Sequence, residues 1–332
     1  MENIALIGLL GKLDKTEIKK LRSFLNSPYY NQNKNVTTLF EYLVTLDKRT
    51  LTNISSRDIH NYIFQKHKFI NENVKTLIYL LTRLTEKFLV ISEAENDEFE
   101  YNKQLLKIFN KRGLDKHFMR HLNKTGKQKE EYGSVELDKI TRKAEFEKTL
   151  LQYYLPRNDE KNIFAHELKL SEDLIAAFLV DMFKQYNVFW RASYLNNLLD
   201  VEFTSAVLTA IDFDRLFETF SQNNYRYYKL LLPHYEIYKL LKDESSKINI
   251  DSLKSNISQN DFISGNEKFV LSTILVNSIY YKSLRSGGVY TRELFEALKL
   301  MIELHKFSND PFLRYTTYSN ILRIALQLGE YD

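Results

Sequence analysis

Two histidines, His117 and His121, are four residues apart in a segment with helical periodicity. Side chains at this spacing share one face of a helix and could bind a divalent metal together. Zinc sites usually take three or four protein ligands, and no third ligand stands at a supporting spacing. We therefore interpret the pair as part of a solvated basic face and predict neither a metal nor another cofactor.

Two other segments begin like catalytic motifs and then depart from them. The glycines of Gly8–Leu13 are too close together for a phosphate loop, and leucine stands where Ser or Thr would reach magnesium. His166–Leu170 begins like a zinc-protease helix but has leucine in place of the second histidine. No pair of carboxylates stands out as an acid–base couple. We therefore predict that the protein is not an enzyme.

Basic residues dominate the segment 103–129, in which the only acidic residue is Asp115. The aromatic residues Phe109, Phe118 and Tyr132 are interleaved with them. Because basic grooves with aromatics can follow a nucleic-acid backbone, a nucleic-acid-binding helical array is our alternative function. A solvated face, or a partner for the acidic residues just before it, is the simpler interpretation. The candidate nucleic-acid contacts are Lys107, Lys111, Arg112, Lys116, Arg120 and Lys124.

A second group of side chains combines aromatic rings with arginine, as the centres of protein interfaces often do. In stacked helices such rings more often fill the gaps between helices while their polar tips reach solvent. Both interpretations stay open from the sequence alone. The candidate partner-binding residues are Trp190, Arg191, Tyr225, Arg226 and Tyr228.

The elements that position these side chains are helices, because helical periodicity runs through almost the whole chain. Nine glycines and four prolines in 332 residues leave few helix breakers, and the alternation typical of strands is scarce. Asp14 with Glu17 predicts a capped helix start. Pro28 predicts that this helix ends near Asn26, and we expect Asn35 to cap the next one.

The second half of the chain shows the same periodicity with several predicted boundaries. Ser171–Asp173 predicts the start of an apolar helix, and Pro233 is expected to open a helix of its own. Residues 248–263 are polar and predict a weak helix or a loop. Gly287–Gly288 predicts the turn of a helical hairpin.

Composition limits the class of protein and its compartment. Hydrophobic residues make up 44% and charged residues 27%, as in a folded chain, and the net charge of +4 is small for this length. Without cysteine, disulfides and Cys-ligated metal sites are excluded. The apolar stretch 4–10 lacks the flanks of a signal peptide, and 174–180 is too short to span a bilayer. We expect an unexported, soluble, cytoplasmic protein.

Four short segments carry a resemblance to a known family. They are Phe24–Asn31, Leu39–Leu43, Asn277–Arg285 leading to Arg292–Glu296, and Leu328–Tyr331. Together they resemble an uncharacterised family of all-helical bacterial proteins with tetratricopeptide-like helical hairpins. The resemblance implies an all-α fold of stacked antiparallel helix pairs, an α-solenoid with degenerate repeats rather than a regular period of ~34 residues. It brings no activity, cofactor or catalytic residue.

We predict two domains on this basis. Residues 1–155 would form an N-terminal helical domain, and residues 156–332 a C-terminal tetratricopeptide-like array that begins at the break at Pro156. The last residues, Ala325–Asp332, look like the turn between the two helices of a repeat, and no second helix follows. We therefore expect the array to be truncated at its C-terminal end.

Fold and motifs together favour recognition over catalysis. Stacked helix pairs bury a continuous core and leave a long concave face. We predict a non-catalytic scaffold or adaptor that binds a protein or peptide on that face and has no membrane partner. Because fold alone does not establish function, the sequence leaves the identity of the partner, the pathway and the oligomeric state open.

Overall fold

A computed structural model describes residues 2–65, 67–126, 137–194, 202–243, 247–308, 310 and 312–330. Within these residues the chain forms α-helices joined mostly by short turns and contains no β-strand. The predicted all-α class is therefore confirmed. Contacts between Cα atoms divide the chain into two compact units, Met1–Ile108 and Phe109–Asp332.

The first unit is built around one long helix. Its helices are α1 (Glu2–Leu10), α2 (Lys15–Leu25), α3 (Lys34–Thr45), α4 (Lys48–Asn53), α5 (Ser56–Phe64), α6 (Asn71–Asn96) and α7 (Glu98–Lys111), which crosses the division between the units. Helix α6 packs against α1, α2, α3 and α5. Leu21, Phe40 and Leu81, from three of these helices, are fully buried where they meet.

The second unit holds the remaining helices. They are α8 (Asp115–Gly126), α9 (Leu137–Tyr154), α10 (Glu160–Tyr194), α11 (Glu202–Ala210), α12 (Phe213–Gln222), α13 (Tyr228–Lys242), α14 (Ile250–Ser258), α15 (Gly265–Arg285), α16 (Thr291–Leu304) and α17 (Tyr315–Leu328). Helix α10 packs along α9 and against α13 and α15. The predicted boundary at residues 155/156 falls between α9 and α10, inside this unit, and the predicted pair of domains stays a prediction.

The helix start predicted at Asp14 is confirmed. The Asp14 carboxylate accepts hydrogen bonds from the backbone N–H groups of Thr16 (2.6 Å) and Glu17 (2.8 Å), and Glu17 accepts one from the Asp14 N–H. Because Ala at this position would leave these donors without a side-chain partner, we expect Asp14→Ala to lower the free energy of unfolding by about 1 kcal/mol. Urea unfolding with Lys12→Ala as the control measures this, and equal stability of the two variants would contradict it.

The end of α2 is also as predicted, but the next cap is not. Asn26 is the C-cap of α2. The side chain that caps α3 is Asn33, which accepts a hydrogen bond from the Asn35 N–H, so the prediction of Asn35 as the cap was wrong. The reason lies in the turn, where the Asn31 amide donates to the Leu25 carbonyl and its oxygen accepts from the Asn33 N–H. This bonding brings Asn33 to the start of α3.

Two predicted boundaries in the second unit are wrong because helices run through them. Helix α10 continues past Asp173, and α13 continues past Pro233. Proline cannot donate to the carbonyl four residues before it, and here the Asn260 side chain donates to that carbonyl, of Lys229, at 2.7 Å. Residues 248–263, predicted as a weak helix or loop, contain α14, whose Leu253 and Ile257 are buried. The turn at Gly287–Gly288 is confirmed, with positive φ at both glycines.

Candidate functional site

The two histidines with metal-like spacing pack against a phenylalanine. His117 and His121 of α8 both lie against Phe109, with ring centroids 5.8 and 5.9 Å from it. Burial, together with the nearby Lys124 ammonium, lowers the pKa of His121, so this ring is neutral at pH 7. In the part of the chain that the structure describes, no three His, Asp or Glu side chains are grouped closely enough to hold a metal ion.

The predicted basic residues lie on α7, on α8 and in the turn between them. All six candidates are exposed: Lys107, Lys111, Arg112, Lys116, Arg120 and Lys124. Lys107 lies on the part of α7 that belongs to the first unit, and the other five belong to the second. We call these five residues of the second unit the α8 basic face. Lys127 and Lys129 of the predicted window, and Tyr132 just after it, lie outside the described residues.

One lysine of the segment 103–129 forms an ion pair with an acidic residue that precedes the segment. The Lys103 ammonium is buried and lies 2.6 Å from the Glu100 carboxylate. This hydrogen bond is the main reason that the pKa of Glu100 lies below its usual value, with a smaller contribution from Lys107. At Lys103, the basic segment therefore acts as a partner for the acidic residues just before it. This pairing does not extend to the α8 basic face, none of whose residues has an ion pair with another described residue.

Tyr225 and Arg226, predicted as partner contacts, are bound inside the second unit. The Tyr225 hydroxyl donates to the backbone carbonyl of Glu172 at 2.6 Å, and its ring stacks on Phe220. The Arg226 guanidinium lies 2.8 Å from the Glu172 carboxylate and 2.6 Å from that of Asp173. These contacts join the segment just before α13 to α10. The packing interpretation accounts for both side chains, and their binding to a partner stays a prediction.

Of the remaining predicted partner contacts, Tyr228 lies near Tyr225 and Arg226, whereas Trp190 lies far from them. Tyr228 is half-buried beside them, against Phe217. Trp190 lies 18 residues beyond Glu172 on α10, which corresponds to about 27 Å along the helix axis. There the Arg285 guanidinium sits 4.6 Å from the Trp190 ring centre. The Arg191 side chain lies outside the described residues.

A groove that was not predicted from the sequence lies between α15, α16 and α17. It has a volume of about 510 Å³. Its floor is formed by the buried apolar side chains Leu294, Leu298, Met301 and Ile324. We call it the α15–α17 groove. The Trp190 ring lies behind one wall, edge-on to the groove residue Tyr281.

The walls of the α15–α17 groove are polar but carry little charge. Asn277 on α15 and Asn320 on α17 both line it, and neither side-chain amide has a hydrogen-bond partner among the described residues. Thr273 and Thr317 lie one helical turn before these asparagines. In the sequence, the only sign of these groove walls is the spacing of the polar residues, which is four residues from Thr273 to Asn277 and three from Thr317 to Asn320. This spacing is also typical of an ordinary solvated helix face, so it does not predict a groove.

The charged residues of the groove lie towards one end, in the segment that joins α16 to α17. They are His305, Asp310 and Arg314. The His305 ring packs edge-on against Phe269, and the Asp310 carboxylate accepts a hydrogen bond from the Phe312 N–H. The groove therefore offers two side-chain amides without a hydrogen-bond partner among the described residues, together with an apolar floor.

No helix in the described part of the chain combines the length and the apolar composition that crossing a membrane requires. Comparisons with models of protein families, with curated proteins and with solved structures give no match for this chain.

Proposed function

We propose that this protein is a non-catalytic scaffold or adaptor that binds an extended segment of a partner protein in the α15–α17 groove. The observation that carries the proposal is that two side-chain amides, Asn277 on α15 and Asn320 on α17, line the groove beside its apolar floor and have no hydrogen-bond partner among the described residues. A carboxamide both donates and accepts hydrogen bonds, as a peptide group does. An extended peptide could therefore bond to both walls through its backbone.

The size and charge of the groove support a peptide rather than a polyanion. Its volume of about 510 Å³ lies within the range of sites that hold small ligands or a few residues of peptide. The floor residues Leu294, Leu298 and Met301 would accept one apolar side chain of the peptide. Arg314 is the one Lys or Arg side chain among the lining residues, so phosphate contacts would be few.

The arrangement of the last helices supports a repeat-like architecture for this binding site. Helix α15 packs on α16, and α16 packs on α17, so each helix contacts its neighbour in the sequence. We propose that these helices belong to a degenerate tetratricopeptide-like array, in which stacked pairs leave a binding surface on one side. A cytoplasmic location is part of the same proposal and is consistent with the absence of cysteine.

The test begins with an unbiased peptide library, since the partner is unidentified. Random 12-residue peptides displayed on phage are selected against the full-length protein, and the enriched peptides are synthesised with a fluorescein label. We expect the double variant Asn277→Ala/Asn320→Ala to bind them about 5- to 150-fold more weakly in fluorescence anisotropy. This range follows from the loss of two hydrogen bonds at 0.5–1.5 kcal/mol each.

The matched control is Asn123→Ala, which removes an exposed carboxamide on α8, outside the groove. It should bind the selected peptides as the unmodified protein does. Circular dichroism establishes that the double variant keeps its helices. Selection of no peptide, or equal binding by the double variant and the control, would overturn the proposed function.

A further inference from the structure

The α8 basic face concentrates positive charge on a chain that is close to neutral overall. Three of its residues, Lys116, Arg120 and Lys124, follow one another at four-residue spacing on α8, so they form a stripe about 12 Å long. Lys111 is the last residue of α7, and Arg112 lies in the turn that leads into α8. All five side chains are exposed, whereas the whole chain carries a net charge of only +4.

The one acidic residue of this segment does not neutralise the stripe. Asp115 lies 2.5 Å from the guanidinium of Arg157, a residue that comes from the turn after α9. Elsewhere in the protein, exposed or half-buried cations often have carboxylate partners, as in the Arg22–Glu41 and Lys254–Glu296 pairs. The α8 basic face has no such partner among the described residues, so its charge is available to a polyanion.

The two aromatic residues of the segment that the structure describes, Phe109 and Phe118, are not available for stacking on bases. Phe118 is fully buried and stacks on Tyr153, with ring centroids 3.6 Å apart. Phe109 is half-buried and covers the rings of His117 and His121. Proteins that prefer single strands usually stack bases on exposed aromatic rings. Within the described part of the segment, the face therefore presents cations without exposed aromatic platforms.

We propose that the α8 basic face binds the phosphate backbone of a double-stranded nucleic acid without reading its bases. A duplex carries about one negative charge per 1.7 Å, so it matches a short stripe of cations better than a single strand does. Backbone contacts position a protein on the duplex but carry no sequence information. This function is separate from peptide binding, because the α8 basic face and the α15–α17 groove share no residue.

The number of cations sets the expected dependence on salt. Each phosphate neutralised contributes about −0.9 to the slope of log K against log salt for a duplex. Contacts by three to five of the residues give a slope of about −3 to −4.5. The affinity should therefore fall about 40- to 500-fold between 50 and 200 mM NaCl.

The experiment measures fluorescence anisotropy of a labelled 25-base-pair DNA duplex with the full-length protein at these two salt concentrations. The same sequence as an RNA duplex, a scrambled duplex and the single strand are the other probes. We expect binding to duplexes at 50 mM NaCl, with the stated loss at 200 mM and equal affinity for the scrambled sequence. Comparing the affinities for the DNA duplex and for the RNA duplex shows which duplex geometry the α8 basic face binds more tightly.

The variant Lys116→Glu/Arg120→Glu/Lys124→Glu should lose this binding, since it reverses the whole stripe. The control Lys15→Glu/Lys19→Glu/Lys20→Glu changes the net charge equally at exposed positions of α2 and should retain most of the affinity. The proposal is overturned by an absence of binding at 50 mM NaCl, by equal losses in the two variants, or by tighter binding to the single strand. Binding to phosphatidylserine vesicles but not to duplexes would also overturn it.

Discussion

Glu267→Ala is expected to lower the free energy of unfolding of the second unit by about 3–5 kcal/mol, the usual consequence of removing one partner of a buried charged pair. The Glu267 side chain is 5% exposed. It lies 2.9 Å from the Lys184 ammonium and accepts a hydrogen bond from His234 Nε2 at 3.1 Å. Its loss would leave the buried His234 ring without this acceptor and the Lys184 ammonium without its counter-charge.

Thermal unfolding measures this effect. For a unit of this size, a loss of 3–5 kcal/mol corresponds to a decrease in Tm of about 6–20 °C. The control is Glu303→Ala, which removes an exposed carboxylate from α16 and should change Tm by little. Similar Tm values for the two variants would show that Glu267 does not stabilise the core.

The same cluster gives the stability of the protein a defined dependence on pH. Burial lowers the pKa of His234, so only the unfolded state takes up a proton as the pH falls below about 6.5. Burial raises the pKa of Glu267, but the bonds from His234 and Lys184 outweigh it and hold the pKa at about 2. Both groups therefore reduce stability as the pH falls, His234 below about 6.5 and Glu267 between about 4.5 and 2. Glu267→Ala should lose the second decrease.

Phe118→Ala is expected to lower the free energy of unfolding by about 3–5 kcal/mol, because it removes a fully buried ring. The Phe118 ring lies nearly parallel to that of Tyr153, at an angle of 5°. The Arg157 guanidinium lies 3.8 Å from the Tyr153 ring centre. Truncation would leave a cavity between α8 and α9. Urea unfolding measures the loss.

The neighbouring residue provides the control for Phe118. Met119→Ala removes a side chain that is 39% exposed and should cost much less stability. At a temperature where Phe118→Ala is still folded, its affinity for the DNA duplex should equal that of the unmodified protein, because the ring does not reach the α8 basic face. A selective loss of DNA binding with unchanged stability would mean that Phe118 contacts bases.

Helix ends were predictable where the stabilising contacts are local. The Asp14 cap depends on groups within three residues, and the end of α2 depends on Pro28, so periodicity and turn chemistry suffice. The failure at Asp173 has a different cause. This residue follows Ser171 and looks like a helix start, yet it lies inside α10 as the acceptor of a hydrogen bond from the Tyr227 hydroxyl, at 2.6 Å. A partner 54 residues away leaves no local pattern.

The two candidate sites also differ in how far they could be predicted from local sequence. The α8 basic face is contiguous in the sequence, so its residues could be named in advance, although the burial of Phe118 could not. The α15–α17 groove is lined by Asn277 and Asn320, which are separated in the sequence by helix α16. Each asparagine on its own is typical of a solvated side chain, so the sequence did not predict the groove. Tyr225 was predicted as a partner contact because of its residue type, but its hydroxyl binds the Glu172 carbonyl inside the second unit. Residue type alone does not distinguish a tyrosine that packs between helices from one that binds a partner.

Helix α10 has a consequence for how the second unit comes apart. Its 35 residues extend about 52 Å and pack against α9, α13 and α15. In arrays where each repeat contacts only its neighbours, helix pairs can melt from the ends one after another. Here three helices share one continuous neighbour, so detaching any of them uncovers apolar surface on α10. These four helices should therefore melt together, as a single cooperative block.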